Sequence, residues 1–185
     1  YHRFGSFCLR QGREKEGEAL LAAFKRVKKV KAKVDRYRHL LSLHPDDAKA
    51  HRAMGILYSG HGRPKEAVVA YRRALSINPR DLTSRNNLAN IFLRERKVAE
   101  AIREYKALLS IDPTYAQGYN NLGSAYLSTG DAAKAIEVYQ KAIEVNPDYA
   151  DARYNLGRLY LTQGLVAEGE AQLAVYRRLS GTNEE

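Results

Sequence analysis

The chain is poor in the residues that staple, anchor or catalyse. Cys8 is its only cysteine among 185 residues, which excludes an internal disulfide and a cysteine-based zinc site. Tryptophan is absent, and no run approaches the roughly 18 apolar residues that a membrane-spanning helix needs. There is no basic-then-apolar leader of the signal-peptide kind. Five prolines and thirteen glycines are too few for a linker or a collagen-like chain. The five histidines, His2, His39, His44, His51 and His61, form no H-E-x-x-H pattern, and no glycine-rich phosphate loop occurs. Cys8 has no base partner in sequence and reads as a packing residue. No enzymatic activity, cofactor or metal site is therefore expected.

Charge is plentiful but uneven. The net charge is +10, divided as +6 over residues 1–47, +7 over 48–115 and −3 over 116–185. A basic N-terminal half attracts acidic partners, which bears on association and not on fold.

A fixed period organises most of the chain. Pro45, Pro79, Pro113 and Pro147 succeed one another at 34-residue intervals. Other columns keep that spacing: Met54, Leu88, Leu122, Leu156; Gly55, Ala89, Gly123, Gly157; Tyr58, Phe92, Tyr126, Tyr160; Ala67, Ala101, Ala135, Gly169; Tyr71, Tyr105, Tyr139, Leu173. Within one period, Tyr119, Leu122, Gly123 and Tyr126 form one helical stripe, and Ala135, Ile136, Tyr139, Ala142 and Ile143 form a second. Gly130 and Asp131 supply a turn and an N-cap between them. Asn146 and Pro147 end the second helix, because the residue before proline is pushed out of helical geometry.

The stretch NNLGSAYLSTGDAAKAIEVYQKAIEVNP at 120–147 resembles the tetratricopeptide repeat, a 34-residue helix–turn–helix. The resemblance implies an all-α solenoid of antiparallel helix pairs wound as a right-handed superhelix. Its units fall at 48–81, 82–115, 116–149 and 150–180, with 181–185 as a tail. Arg96 replaces the turn glycine of the second unit, and Gly169, Leu173 and Tyr176 depart from the pattern in the last. Residues 1–47 read as a degenerate N-terminal unit, because QGREKEGEALLAAFKR (11–26) parallels QGLVAEGEAQLAVYRR (163–178). By that register Tyr1 falls inside a first helix, which implies a longer natural chain.

The degenerate unit is longer than a period. Gly5 to Gly55 spans 50 residues, and neither Gly nor Pro interrupts Glu18 to His44. One helix from about residue 14 to about 43 is expected, roughly 45 Å long against roughly 21 Å for an ordinary repeat helix. Residues 25–36 on it, KRVKKVKAKVDR, carry seven Lys or Arg and one Asp. An apolar seam runs beneath: Phe24, Val27, Val30, Val34, Tyr37, Leu41. One reading is a spacer with a solvated charged face. Another is a second interface at Val27, Val30 and Val34, for self-association or a partner. Nucleic-acid binding is disfavoured, since no stacking aromatics interleave with the basic run. Membrane-surface binding is disfavoured by a narrow, Val-rich apolar face.

In this family the first helices line a concave groove. One column there reads Ala53, Asn87, Asn121, Asn155, and the column before it Arg52, Asn86, Asn120, Tyr154. Lys49, Asn90, Arg94, Gln117, Ser124, Asp151 and Arg158 are neighbouring candidates. Asparagine costs a helix about 0.6 kcal/mol relative to alanine, so a periodic column of it asks for a reason. Its carboxamide can pair with both groups of a peptide bond. Asn87, Asn121 and Asn155 resemble the asparagine ladder in the repeat domain of O-linked N-acetylglucosamine transferases, which implies backbone binding of an extended peptide. The other reading is that these amides bond a neighbouring helix or water. A carboxylate clamp of the chaperone-tail kind finds only a scattered echo in Arg52, Asn87 and Arg158.

The function expected is a protein-interaction scaffold or adaptor. It would bind an extended peptide or partner helix, with Lys49, Arg52 and Arg94 favouring acidic residues. The alternatives are the substrate-recruiting part of a larger enzyme, such as a glycosyltransferase, and a purely structural assembly subunit.

Overall fold

A computed structural model describes residues 1–181; residues 182–185 of the expected tail lie outside the described residues. The described residues form ten helices and no strand. They divide into two compact units, Tyr1–Ile77 and Asn78–Glu185. The first holds α1 (His2–Arg10), α2 (Glu14–Leu43), α3 (Ala48–Ser59) and α4 (Pro64–Ile77). The second holds α5 (Leu82–Arg94), α6 (Val98–Ile111), α7 (Ala116–Ser128), α8 (Ala132–Val145), α9 (Ala150–Thr162) and α10 (Val166–Ser180).

One turn recurs at five helix ends. A residue with positive φ stands at Gly12 (74°), Gly62 (68°), Arg96 (62°), Gly130 (79°) and Gly164 (79°). The next N–H in each case returns to a carbonyl five residues back. Arg13 bonds Cys8, Arg63 bonds Tyr58, Lys97 bonds Phe92, Asp131 bonds Tyr126 and Leu165 bonds Tyr160, at 2.9–3.0 Å. This is the left-handed helix stop, which satisfies carbonyls the helix leaves unpaired. Glycine fits it because it has no Cβ. Arg96 enters the same conformation with a side chain.

The opposite junctions are closed by proline and by caps. α2, α4, α6 and α8 stop two residues before Pro45, Pro79, Pro113 and Pro147. His51, Arg85 and Arg153 then hold the carbonyls of Pro45, Pro79 and Pro147 at 2.9–3.0 Å. Asp47 and Asp81 accept there from the N–H groups of Ala50 and Ser84, and Asp131, at the left-handed turn after Gly130, accepts likewise from Lys134, satisfying first-turn donors.

Helices pair by bringing a small residue under a ring. A Cβ added to Gly55 would lie 2.5 Å from the Tyr71 ring, and one added to Gly123 would lie 2.5 Å from Tyr139. Tyr71, Tyr105 and Tyr139 are essentially inaccessible. Burying a side chain of that size contributes about 1.5–3 kcal/mol. In the last pair Leu173 replaces the ring, and the backbones close up instead, with a Gly169 Cβ position only 3.0 Å from the Gly157 carbonyl.

α2 packs against α1 and α3, and its first part meets α1 where His2 sits edge-on to Phe24, centroids 5.0 Å apart. Cys8 is fully buried in α1. The expected interface of Val27, Val30 and Val34 does not form one open surface. Val34 is 6% exposed and Val27 55%, with Val30 half-buried. Spaced three and four apart, the residues share one helix face, so their burial differs with position along α2 and with what packs there, not with the side they point to.

Two variants probe this packing, both read by thermal unfolding. Gly123→Ala places a methyl inside the Tyr139 ring contact and should destabilise by about 1–3 kcal/mol. Arg96→Gly removes left-handed strain of about 1–2 kcal/mol against an added chain-entropy cost of about 0.5–1 kcal/mol. It should stabilise by up to about 1.5 kcal/mol.

Candidate peptide-binding groove

The second unit brings α5, α7 and α9 together through asparagine pairs. Asn121 Nδ2 on α7 donates to Asn86 Oδ1 on α5 at 2.9 Å. Asn155 Nδ2 on α9 donates to Asn120 Oδ1 on α7 at 2.8 Å. The partners are 35 residues apart, one period plus one step. Asn121 and Asn155 of the ladder column therefore each reach back to the preceding first helix.

Asn86 and Asn120, expected on the groove, are instead 6% exposed. They stand one residue before the ladder positions, and one helical step rotates a side chain by about 100°. That rotation carries them between the helices, where they act as acceptors for Asn121 and Asn155. The half-buried ladder amides use one N–H in this pairing. A carboxamide has a second N–H and a carbonyl, so the pairing orients Asn121 and Asn155 without exhausting them. Asn87, on α5, is also half-buried.

The remaining predicted residues separate into four groups. Asn90 Oδ1 accepts from the Tyr105 hydroxyl, and Ser124 Oγ lies 3.2 Å from the Tyr139 hydroxyl. Both serve core tyrosines. Tyr154 and Arg158 form one cluster on α9. Tyr154 packs tilted on Tyr176 at 5.0 Å. The Arg158 guanidinium lies 5.7 Å from the Tyr154 ring centre and donates to its hydroxyl at 3.3 Å. Gln117, Asp151 and Arg94 are exposed, and Gln117 accepts from Tyr115 at 2.8 Å. Lys49, exposed, and Arg52, half-buried, stand on α3 in the first unit.

Sequence reading missed an apolar recess beside Asn155. Leu127, Leu159 and Thr162 line it with Asn155 and Arg158, around about 330 Å³. Leu127 lies outside the ladder columns, and only the approach of α7 to α9 puts it there. Among the described residues, no three of His, Cys, Asp and Glu gather where a metal could be held. No described helix is long and apolar enough to cross a membrane.

Burial raises the hydroxyl pKa of Tyr105, with Arg94 partly opposing, and of Tyr139, with Ser124 partly opposing. Tyr149 is pushed up to about 12, first by burial and then by Asp151. The unfolded chain therefore loses these protons first, and their contribution to stability is lost as pH rises above about 10. Urea midpoints should hold steady up to about pH 9.5 as far as these groups act, then fall. Tyr139→Phe should flatten that fall.

Comparison with known proteins agrees with this architecture. A family model described as TPR repeat matches residues 97–130 and 123–164, and one described as Tetratricopeptide repeat matches residues 48–81. Together they span more than half of the chain. Among curated proteins nothing matches in sequence. The crystal structure of MamA is 20% identical, covers 98% of this chain and 97% of its own, and superposes with a TM-score of 0.72. Pseudomonas aeruginosa PilF is 19% identical over 96% of this chain and 74% of its own, TM-score 0.72. YrrB, described as a TPR protein with an unusual peptide-binding site, is 19% identical over 77% of this chain and 74% of its own, TM-score 0.66. The likeness to these three is one of fold. The chain belongs to the tetratricopeptide-repeat family, all-α scaffolds for protein–protein interaction.

Proposed function

We propose that the protein is an adaptor whose α5–α7–α9 face grips the backbone of an extended peptide through Asn87, Asn121 and Asn155. The observation that carries this is the pairing of Asn121 with Asn86 and of Asn155 with Asn120. A buried carboxamide holds Asn121 and Asn155 each in one orientation, so less of their freedom is lost when a ligand is bound. The recess at Leu127 and Leu159 offers an apolar socket beside Asn155, and Arg158, which bonds the Tyr154 hydroxyl, also lines it. Arg94 on α5 favours an acidic side chain in the bound segment; Lys49 and Arg52, on α3 of the first unit, give that unit basic contacts of its own. That YrrB, of like fold, is described as having an unusual peptide-binding site supports the same reading. Residues 48–81, 82–115, 116–149 and 150–180 serve as the complete repeat units, and 1–47 as a degenerate first one.

The same pairs favour a second reading, in which the asparagines only tie helices. An Asn121→Ala, Asn155→Ala variant separates the two. Losing each bond costs about 0.5–1.5 kcal/mol, so the variant should remain folded. Pull-down from source lysate, then titration of the captured partner's peptide, should show binding weakened about tenfold or more. A partner held equally by both proteins, with only the melting temperature lowered, would leave the asparagines as helix ties.

A further inference from the structure

The first unit contains a place for a helix that the described chain does not itself fill. In the pairs α3–α4, α5–α6 and α7–α8, the second helix buries one stripe against its first helix. That stripe comprises Ala67, Tyr71 and Ala74, then Ala101, Tyr105 and Leu108, then Ala135, Tyr139 and Ala142, all at 1% exposure or less. Counting back one 34-residue period from Ala67, Tyr71 and Ala74 gives Lys33, Tyr37 and Leu40 on α2. There, the same stripe is open: Lys33 is exposed, and Tyr37 and Leu40 are half-buried.

α3 is open on the matching side. Asn121 and Asn155 each reach back to the preceding first helix. The same column on α3 is Ala53, and the element before α3 is α2, whose closing half stands in the register of a second helix. Ala53, Ile56 and Leu57 therefore face Tyr37, Leu40 and Leu43 across a groove of about 620 Å³. Ile56 is 48% and Leu43 63% exposed. The basic lining residues are Lys33, Arg36 and His39, Tyr37 is the other titratable one, and no carboxylate is among them. Neither Lys33 nor Arg36 has an ion pair among the described residues.

We propose that this groove is a docking site for an amphipathic helix of a partner protein, one whose flanks are acidic. The helical shape comes from the register, since the stripe is the one other second helices use to bury a first helix. The acidity comes from Lys33, which occupies the column where Ala67, Ala101 and Ala135 admit a close, uncharged neighbour. An incoming helix must offset that ammonium and Arg36, and a desolvated cation without a counter-charge is costly. A second copy of this chain fits poorly. Its own first helices carry Gly55, Ala89, Gly123 and Gly157 at the positions of close approach, and the chain is already +10. The site is independent of the asparagine face of the second unit.

The test uses the 185-residue chain and a fluorescein-labelled helix of about 14 residues, roughly 21 Å long. The peptide carries leucines along one face and glutamates on both flanks; a second peptide has lysines in place of the glutamates. Anisotropy should show the glutamate peptide binding about tenfold or more tighter than the lysine peptide. Lys33→Glu with Arg36→Glu should reverse that order, and the exposed Ile56→Glu should weaken both, with circular dichroism confirming the fold. Asn121→Ala with Asn155→Ala should leave binding unchanged. Equal affinity for the two peptides, or a preference that survives the charge reversal, would overturn the proposal. So would a dimer in sedimentation that Ile56→Glu abolishes, since the occupant would then be a second copy.

Discussion

Close approach between a residue without a bulky side chain and a tyrosine ring is the contact on which the helix pairs depend. Gly55 under Tyr71 and Gly123 under Tyr139 leave no room for a Cβ. The rings in turn are almost wholly withdrawn from water. Interiors are close-packed and respond to a single methylene, so this contact sets interhelical distance and thereby the aim of everything else on the first helices. The tyrosine hydroxyls are not left unpaired in the process. Asn90 and Ser124 meet them from the neighbouring helix, which removes those two polar residues from the set available to a ligand.

Polar groups in the second unit thus have two jobs on one surface. The inner column, Asn86 and Asn120, is buried and ties α5 to α7 and α7 to α9. The outer column, Asn121 and Asn155, is tied at one N–H and has further hydrogen-bonding capacity. A groove that recognises backbone needs donors and acceptors held in fixed directions, and a carboxamide anchored by another carboxamide meets that need without a charge. Ion pairs contribute less to this order. Most are exposed, and such pairs add little stability. Arg85 is different: it is largely buried, joins Glu104 on α6 at 2.7 Å and also holds the Pro79 carbonyl, so it couples a turn to a helix pair.

In the first unit, a second helix continues without a first helix of its own. α2 runs from Glu14 to Leu43, meets α1 and α3, and carries Lys33 where other second helices carry Ala67, Ala101 and Ala135. The basic run at 25–36 is thus two things at once. Most of it is a solvated helix face, while Lys33 and Arg36 border an apolar groove. Charge at the rim of an apolar surface selects partners more than it adds affinity.

The sequence by itself determined the helical class and the family. A 34-residue period with proline, glycine and tyrosine columns can be satisfied only by repeating helix pairs, and local chemistry sufficed to place turns at Gly130 and stops at Asn146. It also pointed to the asparagine column, because asparagine is a poor choice inside a helix without a polar partner. Only the tertiary structure decided which of two adjacent asparagine columns is buried. The two differ by one step along the helix, and the side that faces a neighbour depends on interhelical packing that no local pattern encodes. Packing likewise leaves Val34 buried and Val27 exposed although their spacing puts both on one helix face, and lets Leu127 join a recess beside Asn155. Arg96 shows the converse: the turn keeps its left-handed conformation without glycine, because the packed helices on either side impose it.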